Sequence, residues 1–262
     1  MPQIPNDPTL PNNVYMGPTA RLNCVPSMNR LEIHLTYRCT LKCPNCITLT
    51  WQAPTQKEMT VAQIQKLVDD SINLNWKWDW FTLHGGESAL HPNLREICKI
   101  LADYRSNNNP TLQLKLSTGG YGDEVTKGIE IAKEFGFEIC APNPLKTPEN
   151  VKTIKHFPYP YSPNEADENY TLGCNSATDC GQAYNSEGFF VCTNAAAMSR
   201  VIHTSPVATE LKDFTLEKAS DSLKTYCKDC GFSRPNVTYD ATKKITPTWK
   251  AAVIPYNKNE KI

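Results

Sequence analysis

The sequence predicts an α/β fold: an open, truncated β/α barrel on a parallel sheet, followed by a small cysteine-rich module. Three observations carry this. Strand and helix patterns alternate between residues 31 and 140, and strand–helix–strand succession implies parallel strands joined by helical crossovers. Each unusual motif falls just past a strand end, where active sites of such sheets collect. Regularity fades after about residue 142 and five cysteines gather between 174 and 230, whereas a complete eight-stranded barrel needs at least roughly 200 residues.

Leu31, Ile33 and Leu35 alternate as the first strand. Thr60 is placed to cap a helix whose Val61, Ile64, Leu67, Val68 and Ile72 recur at helical spacing. The run from Trp80 to His84 reads as the second strand. Leu94, Ile97, Cys98 and Leu101 share one face of a second helix, which makes Cys98 a small core hydrophobe. Leu112, Leu114 and Leu116 form a third strand, Asp123 to about Phe135 a third helix, and Phe137 to Cys140 a fourth strand. Asn185 to Gly188 has the turn chemistry of a hairpin, and a helix is expected from about Leu216 to Tyr226. The resulting layout is an extension over residues 1–30, a partial barrel over 31–170, a cysteine module over 171–235 and a surface arm over 236–262.

Composition narrows the function. Twenty-seven basic side chains balance twenty-seven acidic ones, so no basic field gathers phosphates and nucleic acid is not the expected partner. No apolar run approaches the roughly 18 residues of a membrane span, and the Pro- and Asn-rich start lacks the apolar core of a signal peptide. A cytoplasmic protein is expected, in which eleven cysteines point to metal rather than disulfides.

Cys39, Cys43 and Cys46 follow the first strand directly, spaced Cys-x3-Cys-x2-Cys. Three thiolates in one loop can hold three corners of a four-iron cluster and leave the fourth iron open to a chelating cofactor; a zinc knuckle would want a fourth ligand close by. This loop resembles the cluster loop of the radical S-adenosylmethionine (radical SAM) enzymes, in which SAM occupies the open iron and is cleaved to a 5′-deoxyadenosyl radical. The resemblance extends to Gly85, Gly86 and Glu87 after the second strand, matching the motif that holds the methionine amino group. It also implies a SAM contact for Ser117 at the end of the third strand. Asn45 departs from the family, which commonly has an aromatic residue there, and the glycine-rich motif of a fifth strand is not found.

Cys174, Cys180, Cys192, Cys227 and Cys230 resemble the auxiliary-cluster module, SPASM or its shortened twitch form, of some radical SAM enzymes. Five cysteines suit one auxiliary [4Fe–4S] cluster rather than two. The layout of a similarly short aminocyclitol dehydrogenase of that family implies Cys174, Cys192, Cys227 and Cys230 as ligands. Larger members instead use a Cys-x5-Cys pair, which would recruit Cys180, and structural zinc stays open for the Cys-x2-Cys. If spare, Cys180 is a candidate hydrogen donor; Cys140, at a strand end, either faces the pocket as a second one or is a buried core thiol. His84 adjoins the SAM motif and either lines the site or packs at the strand end. Arg200 meets a substrate or lies on the surface, and Cys24 has no assignable role.

The resemblance implies [4Fe–4S] clusters and SAM as cofactors, with an external one-electron reductant such as flavodoxin or ferredoxin. Expected is dehydrogenation or epimerisation of a small polar molecule, sugar- or aminocyclitol-like. The alternative is a maturase acting on a ribosomally made precursor peptide. The short Pro-rich segment before the first strand argues for the former, since such maturases often carry a leader-binding domain.

Overall fold

The computed structural model describes residues 24–43, 46–51, 53, 57–140, 146–151, 174, 176–202 and 204–230. The expected arm over 236–262, most of the extension over 1–30, and Asn45 lie outside them.

The architecture is a six-stranded sheet in the order β4-β3-β2-β1-β5-β6. The strands are β1 (Arg30–Thr36), β2 (Trp80–Gly85), β3 (Gln113–Ser117), β4 (Glu138–Cys140), β5 (Gln182–Asn185) and β6 (Gly188–Phe190). All neighbours are parallel except the antiparallel β5–β6 hairpin. The helices are α1 (Val61–Asn73), α2 (Leu94–Asn108), α3 (Asp123–Glu134), α4 (Thr193–Ile202) and α5 (Leu216–Tyr226). The predicted alternation and the start and end of α5 are thus found.

Local chemistry explains several boundaries. Thr60 and Gln63 make reciprocal capping bonds at the start of α1, and Thr215 Oγ1 accepts from Lys218 N at the start of α5. Leu94, Ile97, Cys98 and Leu101 are all buried on one face of α2. The predicted apolar stripe of α1 is narrower than expected: Ile64, Leu67 and Val68 are buried, while Ile72 is 43% exposed.

Strand parity sorts the two faces of the sheet. Leu31, Ile33, Leu35, Phe81, Leu83, Leu114 and Leu116 join one core with Ile64, Leu67, Ile97 and Leu101 of α1 and α2. The alternate residues, among them Glu32, His34, Thr82, His84, Lys115 and Ser117, fall on the opposite, inner face. The start of α4 lies over this face, since His34 Nε2 is 2.6 Å from Thr193 Oγ1.

The hairpin assigned by sequence to 171–235 continues the main sheet, because Leu31, Glu32 and Ile33 pair with Gln182, Ala183 and Tyr184. Gly188 has φ +145°, and a side chain there would meet the Ala208 carbonyl oxygen at 2.5 Å, which accounts for glycine at this corner.

Candidate functional site

The first cysteine loop leaves the carboxyl end of β1 and is pinned from three sides. Gly86 N and Glu87 N donate to the carbonyls of Thr36 and Arg38, both at 2.7 Å. Thr40 Oγ1 donates to the Tyr121 carbonyl at 3.0 Å, and Trp51 Nε1 to the Leu41 carbonyl at 2.7 Å. Arg38 joins the loop to Glu58 (Nε to Oε1, 2.6 Å) and to the Leu90 carbonyl (2.9 Å). The double glycine is therefore a packing requirement. A Cβ on Gly85 would sit 2.2 Å from the Thr36 oxygen, and one on Gly86 2.4 Å from the Arg38 oxygen.

Cys39, Cys43 and Cys46 are half-buried, and no disulfide joins any of the eleven cysteines. The Cys46 Sγ lies 3.2 Å from Thr48 Oγ1 and 3.1 Å from Thr50 Oγ1, while Leu41 N points at Cys39 Sγ from 3.4 Å. Burial pushes the Cys39 thiol up to about 12 and the Cys43 thiol to about 11, so a metal must displace protons to bind. Three unbridged thiols in one braced loop, with hydroxyl and amide donors directed at the sulfurs, fit a thiolate-held iron–sulfur cluster.

Glu87 is 1% exposed. Its Oε2 accepts from Gly119 N at 2.8 Å and its Oε1 from Ala89 N at 3.3 Å; burial raises its pKa against these bonds. The carboxylate thus ties the end of β2 to the loop after β3, where Thr118 and Gly120 also favour its charged form. Ser117 ends β3 half-buried, paired with Cys140 at the end of β4. Burial also raises the Cys140 thiol.

The second cysteine group is assembled from distant elements. Cys174, Cys192, Cys227 and Cys230 are buried, and Cys180 is half-buried. Cys192 immediately precedes α4 and its Sγ accepts from Ala195 N at 3.4 Å; Cys227 and Cys230 follow α5 in one turn, with Cys230 N donating to the Cys227 carbonyl. Burial raises the Cys227 thiol well above its ordinary value, and the neighbouring Cys230, Cys192, Cys174 and Cys24 add to the rise. Burial likewise raises Cys180, with Glu32, Cys192 and Cys174 as neighbours. Both ligand assignments remain geometrically available, and Cys180 stands beside the set of four.

Two members of this region escape sequence reasoning. Cys24 Sγ donates to the Cys174 carbonyl at 3.0 Å and lies 3.0 Å from Thr178 Oγ1; its isolated place in the sequence held no signal of this. Arg200 is 5% exposed, which corrects its reading as a surface residue. Its Nη1 donates to the Thr48 carbonyl at 3.2 Å, and its guanidinium lies 3.2 Å from the Tyr37 ring centroid. Burial lowers its pKa, while Tyr37, Cys46 and Glu187 favour its charge. A buried cation of this kind is the counter-charge that a thiolate loop requires.

The inner face carries a third cluster. His34 Nδ1 is 2.9 Å from Tyr37 Oη, and the rings of His34 and His84 lie 5.5 Å apart. Glu32 Oε2 and His84 Nδ1 are buried with no hydrogen-bond partner among the described residues, a condition that costs on the order of 1–3 kcal/mol per group. Burial holds His34 well below the usual histidine range, and His84 and Arg200 add to this.

Fold and site together place two groups of free cysteines on a mainly parallel α/β sheet. Residues 30–139 match a protein family described as a 4Fe-4S single cluster domain. The chain is 31% identical over 112 residues to the GTP 3′,8-cyclase of Corynebacterium glutamicum, covering 41% of this chain and 28% of the relative. It is 34% identical over 90 residues to the 7-carboxy-7-deazaguanine synthase of Prochlorococcus marinus, covering 34% and 38%. It thus spans 28% and 38% of the length of these two curated relatives. Among solved structures, BtrN in complex with AdoMet and 2-DOIA is similar at 12% identity and a TM-score of 0.47, covering 83% of this chain and 96% of that one. These sequence matches include the segment that carries the first cysteine loop. Among the described residues no helix is long and apolar enough to cross a membrane.

Proposed function

We propose that this protein is a radical SAM enzyme with one auxiliary four-iron cluster, acting on a small polar substrate to dehydrogenate or epimerise it. One observation carries the reading: the Gly85-Gly86-Glu87 strand end is hydrogen-bonded directly to the backbone of the three-cysteine loop. The two motifs are separated by about 40 residues of sequence, and their pairing makes Glu87 an electrostatic neighbour of Cys39.

Cys39, Cys43 and Cys46 would hold the first cluster, and Glu87 and Ser117 would orient SAM. Cluster and SAM, when bound, supply one-electron cleavage and a 5′-deoxyadenosyl radical. The chain's own residues do the rest. Glu87 would accept hydrogen bonds from the ammonium of the methionine moiety, with Gly119 N and Ala89 N holding the carboxylate in place. Arg200 balances the thiolate charge behind Cys46. The polar inner face, with Glu32, His34 and His84, supports a hydroxyl- or amine-bearing substrate over an apolar one. Cys174, Cys192, Cys227 and Cys230, drawn together with Cys180 beside them, support the auxiliary site. In an oxidation that site would receive the substrate's electron; in an epimerisation Cys180 would return a hydrogen atom.

The test is SAM cleavage. Anaerobically reconstituted protein, reduced with dithionite in place of flavodoxin or ferredoxin, should release 5′-deoxyadenosine and methionine. The Cys39→Ala/Cys43→Ala/Cys46→Ala variant should release neither. An iron-loaded, reduced wild type that leaves SAM intact would overturn the reading.

A further inference from the structure

We propose that Glu32, His34 and His84 form a binding site for one divalent first-row transition-metal ion on the inner face of the sheet. The backbone builds the site. Glu32 and His34 are two residues apart on β1 and so share a face, and parallel register sets His84 of β2 opposite His34. One ligand atom from each of the three lies within 4.8 Å of the others, so a small inward movement brings all three to one centre.

The unsatisfied atoms point the same way. Glu32 Oε2 and His84 Nδ1 are buried with no partner among the described residues, and a bound ion is one explanation for such atoms in a native fold. Two imidazoles and one carboxylate are a donor set suited to Fe2+, Co2+ or Zn2+, with further positions left for a substrate oxygen or nitrogen. His34 already has the second contact that a ligated histidine needs. Its Nε2 lies 2.6 Å from Thr193 Oγ1; the tautomer that donates there carries the Nδ1 lone pair an ion would use. The displaced Tyr37 hydroxyl keeps its bond from Asn185 Nδ2 at 3.3 Å. Arg200, stacked on Tyr37, is the cation on this side, and the Cys180 and Cys192 thiols lie beside Glu32.

This site does not depend on the radical SAM reading, and its test needs no substrate. The full chain, with its iron–sulfur sites loaded anaerobically, is titrated with Mn2+ and then Co2+, each followed by paramagnetic resonance and equilibrium dialysis. Mn2+ discriminates because it prefers carboxylate and imidazole to thiolate. One ion per chain is expected, bound about 10- to 100-fold more weakly in Glu32→Gln and in His84→Ala. His91→Ala removes a buried histidine outside the cluster and should bind as wild type does. The isosteric Glu32→Gln serves if His84→Ala fails to fold. The proposal is overturned if neither ion binds stoichiometrically, if both site variants bind as tightly as wild type, or if His91→Ala loses binding to the same extent.

Discussion

The two cysteine groups of this molecule are assembled in opposite ways. Cys39, Cys43 and Cys46 come from one loop, stay half-buried, and owe their placement to hydrogen bonds from neighbouring strand ends. Cys174, Cys192, Cys227 and Cys230 are buried and come from segments up to 56 residues apart in sequence. A local loop keeps one side open to a cofactor at little cost to the fold. A site gathered from remote elements is closed, and whatever it binds becomes a cross-link between them.

That contrast sets the largest expected effect. Wild-type protein reconstituted anaerobically should hold about eight irons, and either Cys192→Ser or the triple alanine variant of the first loop should hold about four. Their stabilities should differ. Cys192→Ser should lower the melting temperature by about 10 °C, equivalent to a few kcal/mol in a chain of this size, because α4 and α5 lose their shared anchor. The triple variant should melt within about 3 °C of wild type. Iron analysis with scanning calorimetry checks both. Equal losses of stability would dissolve the contrast, and four irons with one zinc in wild type would eliminate the auxiliary cluster.

Arg200 stands where the two regions meet, since it lies in the last turn of α4, the helix that Cys192 precedes, and donates to Thr48 in the loop after Cys46. Removing its charge should therefore act on the first cluster without touching a ligand. Arg200→Met should make that cluster harder to reduce, because the added electron loses a nearby positive charge in a poorly solvated site. Arg200→Lys should recover part of the shift, which a purely structural role would not produce. A redox titration followed by paramagnetic resonance measures it, and an unchanged potential in Arg200→Met would mean that the guanidinium serves packing alone.

Much of this arrangement was legible from residues close together in sequence. Thr60, the α2 face and the loop of Cys39, Cys43 and Cys46 are local signals, and the structure contains each. The pairing of β5 with β1, the burial of Arg200 and the contact of Cys24 with Cys174 join residues more than 140 positions apart, and no window of periodicity reports them. Glu32 and His34 were missed for a different reason. Alternation in Leu31, Ile33 and Leu35 marks the core face, and the residues between are read as solvated by default. In a sheet with a helix over its second face, that default fails.

The smallest expected effect concerns acid, and it falls on the local loop's supports rather than on the buried group. His91 is buried; its Nε2 bonds the Met59 carbonyl at 2.9 Å, and Asn93 N donates to its Nδ1 at 3.2 Å. Burial lowers its pKa from 6.5, against the pull of the Met59 carbonyl. A folded value below the unfolded one means that the unfolded chain binds more protons as pH falls. The stabilising contribution is thus complete above about pH 6.5 and is lost as pH drops toward the folded pKa. His91→Gln retains a donor to Met59 without titrating in this range. Urea unfolding between pH 7.5 and 5 should show a shallower decline for His91→Gln than for wild type. Amide exchange around Met59 and Glu87 should quicken in acid before exchange around Cys192 does. Parallel declines in the two proteins would show that His91 plays no part in the acid sensitivity of the loop.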